Sequence, residues 1–103
     1  MTDKNAIINP QAAAANSDLI ELAQGDVVKV MLYGTWAAGE YADVEYSHDG
    51  GTTWQDEYQD GVQRRLHSLN TFEYLYGPGI YRIAKNITGS ATAGVAKEAI
   101  VSR

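Results

Sequence analysis

Apolar and polar residues alternate along most of this chain. In Val27-Val28-Lys29-Val30-Met31-Leu32-Tyr33, the side chains of Val28, Val30 and Leu32 fall on one face and Lys29 on the other. That two-residue period marks an extended strand that buries one side. Tyr41-Ala42-Asp43-Val44-Glu45-Tyr46 alternates more cleanly, with Ala42, Val44 and Tyr46 inward and Asp43 and Glu45 outward. Further strands are predicted at Leu19–Leu22, Thr52–Tyr58, Thr71–Tyr76, Ile80–Lys85 and Gly94–Val101, with a weaker, polar one at Val62–His67 that suits a sheet edge. Gly25-Asp26, Asp49-Gly50-Gly51, Gln59-Asp60-Gly61 and Gly77-Pro78-Gly79 punctuate them as turns. A helical period of useful length appears nowhere after Ala12–Ala15. About seven short strands with turn signals roughly every eight to twelve residues predict an all-β antiparallel sandwich.

Residues 1–17 break this pattern. They are polar and alanine-rich, with a small apolar group at Ile7, Ile8 and Pro10. Such an extended N-terminal arm has little apolar surface of its own and is expected to be loose unless held against something. Ile7, Ile8 and Pro10 are its candidate anchors for a partner. Residues 18–103 are expected to form the sandwich domain, and a chain of 103 residues suits one such domain.

Composition narrows the function. The net charge of -5 disfavours a phosphate backbone, so nucleic acid is not an expected partner. With no cysteine there are no disulfides and no thiolate metal ligands, and stability must come from burial. No apolar run reaches the roughly 20 residues of a membrane span, and the opening residues, with Asp3, do not read as a secretory leader. No membrane association is expected.

The stretch Ser47-His48-Asp49-Gly50-Gly51-Thr52-Thr53-Trp54 resembles the Asp box of sialidase propellers, but this chain is too short for a propeller. Each residue has a structural task instead. Gly50 and Gly51 supply positive φ, the Asp49 carboxylate can accept from nearby backbone N–H groups, Ser47 adds a hydroxyl and Trp54 packs over the hairpin. Asp43 and Glu45 lie about 6–7 Å apart on one strand face, a separation glycosidases use, yet outward acids are what any solvated strand shows. His48 and His67 have no patterned acidic partner, so no metal is expected, and no cofactor fingerprint is present. The aromatic residues are the better lead, because Tyr and Trp favour interfaces and sugar-binding faces. Trp36, in the glycine-flanked loop Gly34–Gly39, is one candidate contact residue. Tyr74 and Tyr76, which precede Gly77, are two more.

Gly77-Pro78-Gly79-Ile80-Tyr81-Arg82-Ile83 resembles the Gly-x-Tyr run before a late strand of immunoglobulin-like and fibronectin-like domains. The resemblance implies that the Tyr81 hydroxyl ties a corner to backbone. The ordered phrases Ala42–Trp54, Gly79–Ile83 and Thr88–Val95 are together similar to small β-sandwich proteins of tailed-bacteriophage virions. That similarity spans most of residues 18–101. It implies a non-enzymatic capsid decoration or cement protein, or a head–tail or tail structural protein, located on the virion and made in the host cytoplasm. The expected partner is a capsid or other virion protein, met through the arm and the sandwich surface. A symmetric homo-oligomer such as a trimer is expected, and a carbohydrate-binding module is the alternative.

Overall fold

The computed structural model describes residues 6–102. Two antiparallel sheets pack face to face as a sandwich, with no helix among the described residues. The first sheet is centred on β4 (Asp26–Tyr33). On one side β4 pairs with β10 (Phe72–Tyr76). On the other it pairs with β12 (Gly94–Lys97) and, further along, with β13 (Val101–Ser102). The strand β1 (Ala6–Ile8) closes the far edge against β12. The second sheet is built on β5 (Tyr41–Ser47) and β11 (Gly79–Lys85), joined by the longest ladder of that sheet, from Ile80 opposite Ser47 to Lys85 opposite Ala42. The outer side of β11 carries β2 (Ala15–Asn16) and β3 (Ile20–Leu22) in line. The outer side of β5 carries β6 (Gln55–Asp56) and β9 (Arg65–His67) in line.

The core forms where the inward-facing positions of the two sheets meet. Val28, Val30, Leu75 and Val95 come from the first sheet and Val44, Leu66 and Ile83 from the second, all essentially without solvent contact. Burial of a Leu, Ile or Val side chain contributes about 1.5–3 kcal/mol, and in a chain without disulfides this layer is the main source of stability.

Two expectations need correction. The arm does not stand apart: residues 6–16 are stitched into the sandwich. Ile8 is 3 % exposed and belongs to the core, and Ile7 packs against it. Backbone bonds from Gln11 N to Ala93 O, Thr88 N to Ala12 O and Ser17 N to Ile83 O fasten the crossing from one sheet to the other. A segment with two isoleucines and an alanine run cannot order itself, but two sheet edges offer it the ladder it lacks. The strand expected over Thr52–Tyr58 is also broken. Gln55–Asp56 follows β5, then the chain leaves it to form a separate hairpin of β7 (Tyr58–Gln59) and β8 (Val62–Gln63) around Asp60-Gly61, and β9 resumes the place beside β5. Asp60 and Gly61 both take positive φ, as a tight two-residue hairpin turn requires.

Leu75→Ala should lower unfolding free energy by about 2–5 kcal/mol. Leu69→Ala, at a side chain 91 % exposed, should change it by less than about 0.5 kcal/mol. Urea denaturation followed by tryptophan fluorescence measures both, and equal effects would contradict the core described here.

Candidate functional site

The Ser47–Trp54 stretch is a closed hydrogen-bond network. The Ser47 hydroxyl donates to Asp49 Oδ1 (2.8 Å) and accepts from the Gly51 N–H (2.8 Å). Asp49 Oδ1 accepts from the Thr53 N–H (2.8 Å) and the Thr52 N–H (3.2 Å), and Asp49 Oδ2 bonds the Thr53 hydroxyl. Gly50 and Gly51 have φ of 78° and 98°, values that glycine adopts without strain. These contacts hold the Asp49 carboxyl below its ordinary value of 3.8, first through the Thr53 N–H and next through Ser47. Its oxygens are engaged inside its own loop, where the carboxylate holds the turn.

The outward face of the second sheet is likewise closed on itself. Arg65 Nε lies 2.5 Å from Asp43 and Arg82 Nε lies 2.6 Å from Glu45. The same two guanidinium groups stack on aromatic rings, Arg65 over Tyr41 at 3.8 Å and Arg82 over Trp54 at 4.5 Å. Asp43 and Glu45 are thus each engaged by an arginine. Neighbouring Asp56 is raised by burial and by these two acids. A depression of about 510 Å3 lies between the β7–β8 hairpin and residues 67–70. In its wall Arg64 is nearly buried, pairs with Glu73 at 2.9 Å, and bonds the Tyr74 carbonyl.

Trp36 is not a free platform. Its indole N–H donates to Tyr33 O (3.0 Å) and Gly94 O (3.3 Å), and its ring packs against the core. The loop that carries it is drawn in at Gly34, where a Cβ would stand 1.7 Å from the Thr92 carbonyl oxygen. Beside Trp36, Lys85 is 2 % exposed and its ammonium donates to Ala13 O (2.8 Å) and Asn86 O (3.2 Å). Burial lowers its pKa, with Glu40 opposing the shift. The lysine thus pins the N-terminal segment. Of the three proposed anchors, Ile8 is consumed by the protein's own core, while Ile7 and Pro10 are half-buried.

Tyr74 and Tyr76 are placed differently. With Phe72 they form the outward row of β10, exposed by 43 %, 53 % and 45 % respectively. Their ladder partners on β4 are Lys29, Val27 and Met31. The Lys29 ammonium lies 4.6 Å from the centre of the Phe72 ring, and Val101, opposite Val27 of β4, adds exposed apolar surface. Phe72 was not among the residues singled out from the sequence. Its two-residue spacing from Tyr74 and Tyr76 was the signal that places all three on one face.

The edge of this strand is partly capped. Leu32 N donates to Thr71 O and Gly77 N donates to Asp26 O, which fixes the hydrogen-bond phase. The backbone groups of Phe72, Tyr74 and Tyr76 therefore point away from β4. Two of their carbonyls are taken by side chains, Tyr74 O by Arg64 and Tyr76 O by the Tyr81 hydroxyl at 2.9 Å. Tyr81 thus ties the turn at Gly77–Gly79 to backbone five residues upstream. What β10 offers a partner is its aromatic face rather than an open ladder.

Among the described residues no group of three or more His, Asp or Glu could hold a metal ion. No protein-family model, curated protein or solved structure matches this chain.

The Asp49 carboxyl should titrate below 3.8 when followed by carboxyl-carbon NMR. Because its folded pKa is depressed, its contribution to stability is complete above the unfolded value and is lost as pH falls through the folded one. Asp49→Ala should remove that acid-limb dependence, and an unchanged pH profile of melting would refute the role given to the loop. Tyr81→Phe should cost about 0.5–1.5 kcal/mol, the net worth of one hydrogen bond.

Proposed function

We propose that this protein is a non-enzymatic structural protein of a tailed-bacteriophage virion, a decoration or cement protein that binds the assembled shell. The observation that carries the reading is the contrast between the two outer faces. On the second sheet, Asp43, Glu45, Arg65 and Arg82 are paired off. On the first, Phe72, Tyr74 and Tyr76 stand in a half-exposed row, with Lys29 lying over Phe72. A solvent-facing aromatic row on a rigid sheet is the anatomy of a protein contact. The absence of a metal-holding cluster among the described residues and the internal use of Asp49 leave this face as the protein's best-supported working surface.

Its mode of action would be mass action. A protein that binds the assembled lattice and not the dispersed subunits makes disassembly harder, by about 2.7 kcal/mol per site at roughly 100 times its Kd. Since residues 6–16 are consumed in the sandwich, docking falls to the face rather than to a free arm. The same contact would serve at a head–tail junction or on a tail. A carbohydrate module is less well supported. Phe72 and Tyr74 meet edge to face at 81°, which gives no flat stacking platform, and Trp36 and Tyr41 are already engaged.

Mass spectrometry of purified particles from the phage that encodes this chain should find it at a copy number comparable with the shell protein. Particles lacking it should release their DNA at a lower temperature. Its absence from purified particles would overturn the proposal. A Tyr74→Ala/Tyr76→Ala double variant should melt within about 5 °C of the parent and fail to rebind depleted particles.

A further inference from the structure

The aromatic face has the attributes of a self-contact, and we infer that its first occupant is a second copy of this chain, docked sheet to sheet about a two-fold axis. The inference rests on reading that face as an assembly contact, and it names what covers the face before the shell does.

Charge is the first argument. The chain carries -5 overall, so two copies repel over most of their surfaces. Its acids are concentrated elsewhere: Asp43, Glu45 and Asp56 line the opposite sheet and Asp49 the end turn. Among the described residues, Lys29 and Glu98 place a cation and an anion side by side on the aromatic face. Lys97 lies opposite Val30, so the next pair in the register is Glu98 and Lys29, and Glu98 N donates to Lys29 O at 2.9 Å. Among the described residues neither side chain joins an ion pair; Lys29 lies over Phe72 instead. Under a two-fold axis between them, Lys29 of each copy meets Glu98 of the other, which makes the face its own complement.

Shape and area agree. Lys29, Tyr74, Glu98 and Val101 line a shallow dimple of about 180 Å3 in this face, room for a side chain of the facing copy. If a Phe or Tyr side chain has about 150–250 Å2 to bury, the exposed parts of Phe72, Tyr74 and Tyr76 supply roughly 200–350 Å2. Val101 adds more. That is the apolar centre of an interface which, with its polar rim, needs about 800 Å2 per partner. The capped carbonyls of Tyr74 and Tyr76 disfavour edge-to-edge pairing along β10. Face-to-face stacking remains, and an isologous contact of that kind closes on itself instead of running into a fibre.

Sedimentation equilibrium of the isolated protein should give twice the monomer mass of 11.2 kDa. Tyr74→Glu should weaken association by roughly 100-fold while leaving the circular-dichroism spectrum unchanged. Lys29→Glu and Glu98→Lys should each be monomeric alone, because each sets like charges across the axis, and the two mixed should form a heterodimer. A wild-type protein that stays monomeric at millimolar concentration would overturn the inference, as would a failure of the two charge variants to associate on mixing. A monomer that still binds particles would sink the self-contact and spare the virion role. A dimer absent from particles would do the reverse.

Discussion

Everything about this molecule's outer surface follows from which residues its two sheets agree to bury. Because side chains alternate along a strand, placing Val28, Val30 and Leu75 in the interior sends Lys29, Phe72, Tyr74 and Tyr76 to the opposite side. A slip of one residue between β4 and β10 would put three aromatic rings inside and a leucine outside. The hydrophobic layer therefore fixes the composition of the exposed face as firmly as it fixes the fold. The same holds across the layer, where Val44 and Ile83 inward dictate Asp43, Glu45 and Arg82 outward.

The two outer faces are consequently unlike. On the second sheet, outward charges of opposite sign stand directly across from each other, Arg82 opposite Glu45 and Arg65 opposite Asp43. They neutralise one another and stack on Trp54 and Tyr41. Such a face has little left to offer a partner. On the first sheet the outward residues are mostly apolar, and the strand edge beneath them is occupied by Arg64 and Tyr81. Nearly buried side chains thus guard an edge that would otherwise template pairing with foreign strands.

Much of this was legible in the sequence, and the reasons are local. The alternation in Val27–Tyr33 and Tyr41–Tyr46 is long enough to give strand, face and core together, and the hydrogen bonds of Asp49 follow from short-range turn chemistry. The assignments that missed depend on partners far along the chain. Ile8 looked like bait for another protein because its own pocket is assembled from strands it had not yet met, β12 above all. Trp36 looked exposed because its flanking glycines suggest a loop, whereas those glycines let the loop fold back far enough for the indole to reach the Gly94 carbonyl. The hairpin at residues 58–63 interrupts an otherwise strand-like run, and only its Asp60-Gly61 pair hinted at the detour.

The position of β1 has an outcome for how the protein comes into being. Ala6 lies opposite Ala96, so β1 completes its sheet against a strand that is made much later in the chain. Until residues 85 and 94–97 have been made, Ile8 has no cavity to enter, the Ala13 carbonyl has no Lys85 ammonium to accept from, and the far edge of the first sheet cannot exist. Closure of that edge therefore waits until residues 94–97 have been made, and anything that held residues 6–8 away from them would leave the sandwich unlaced on that side.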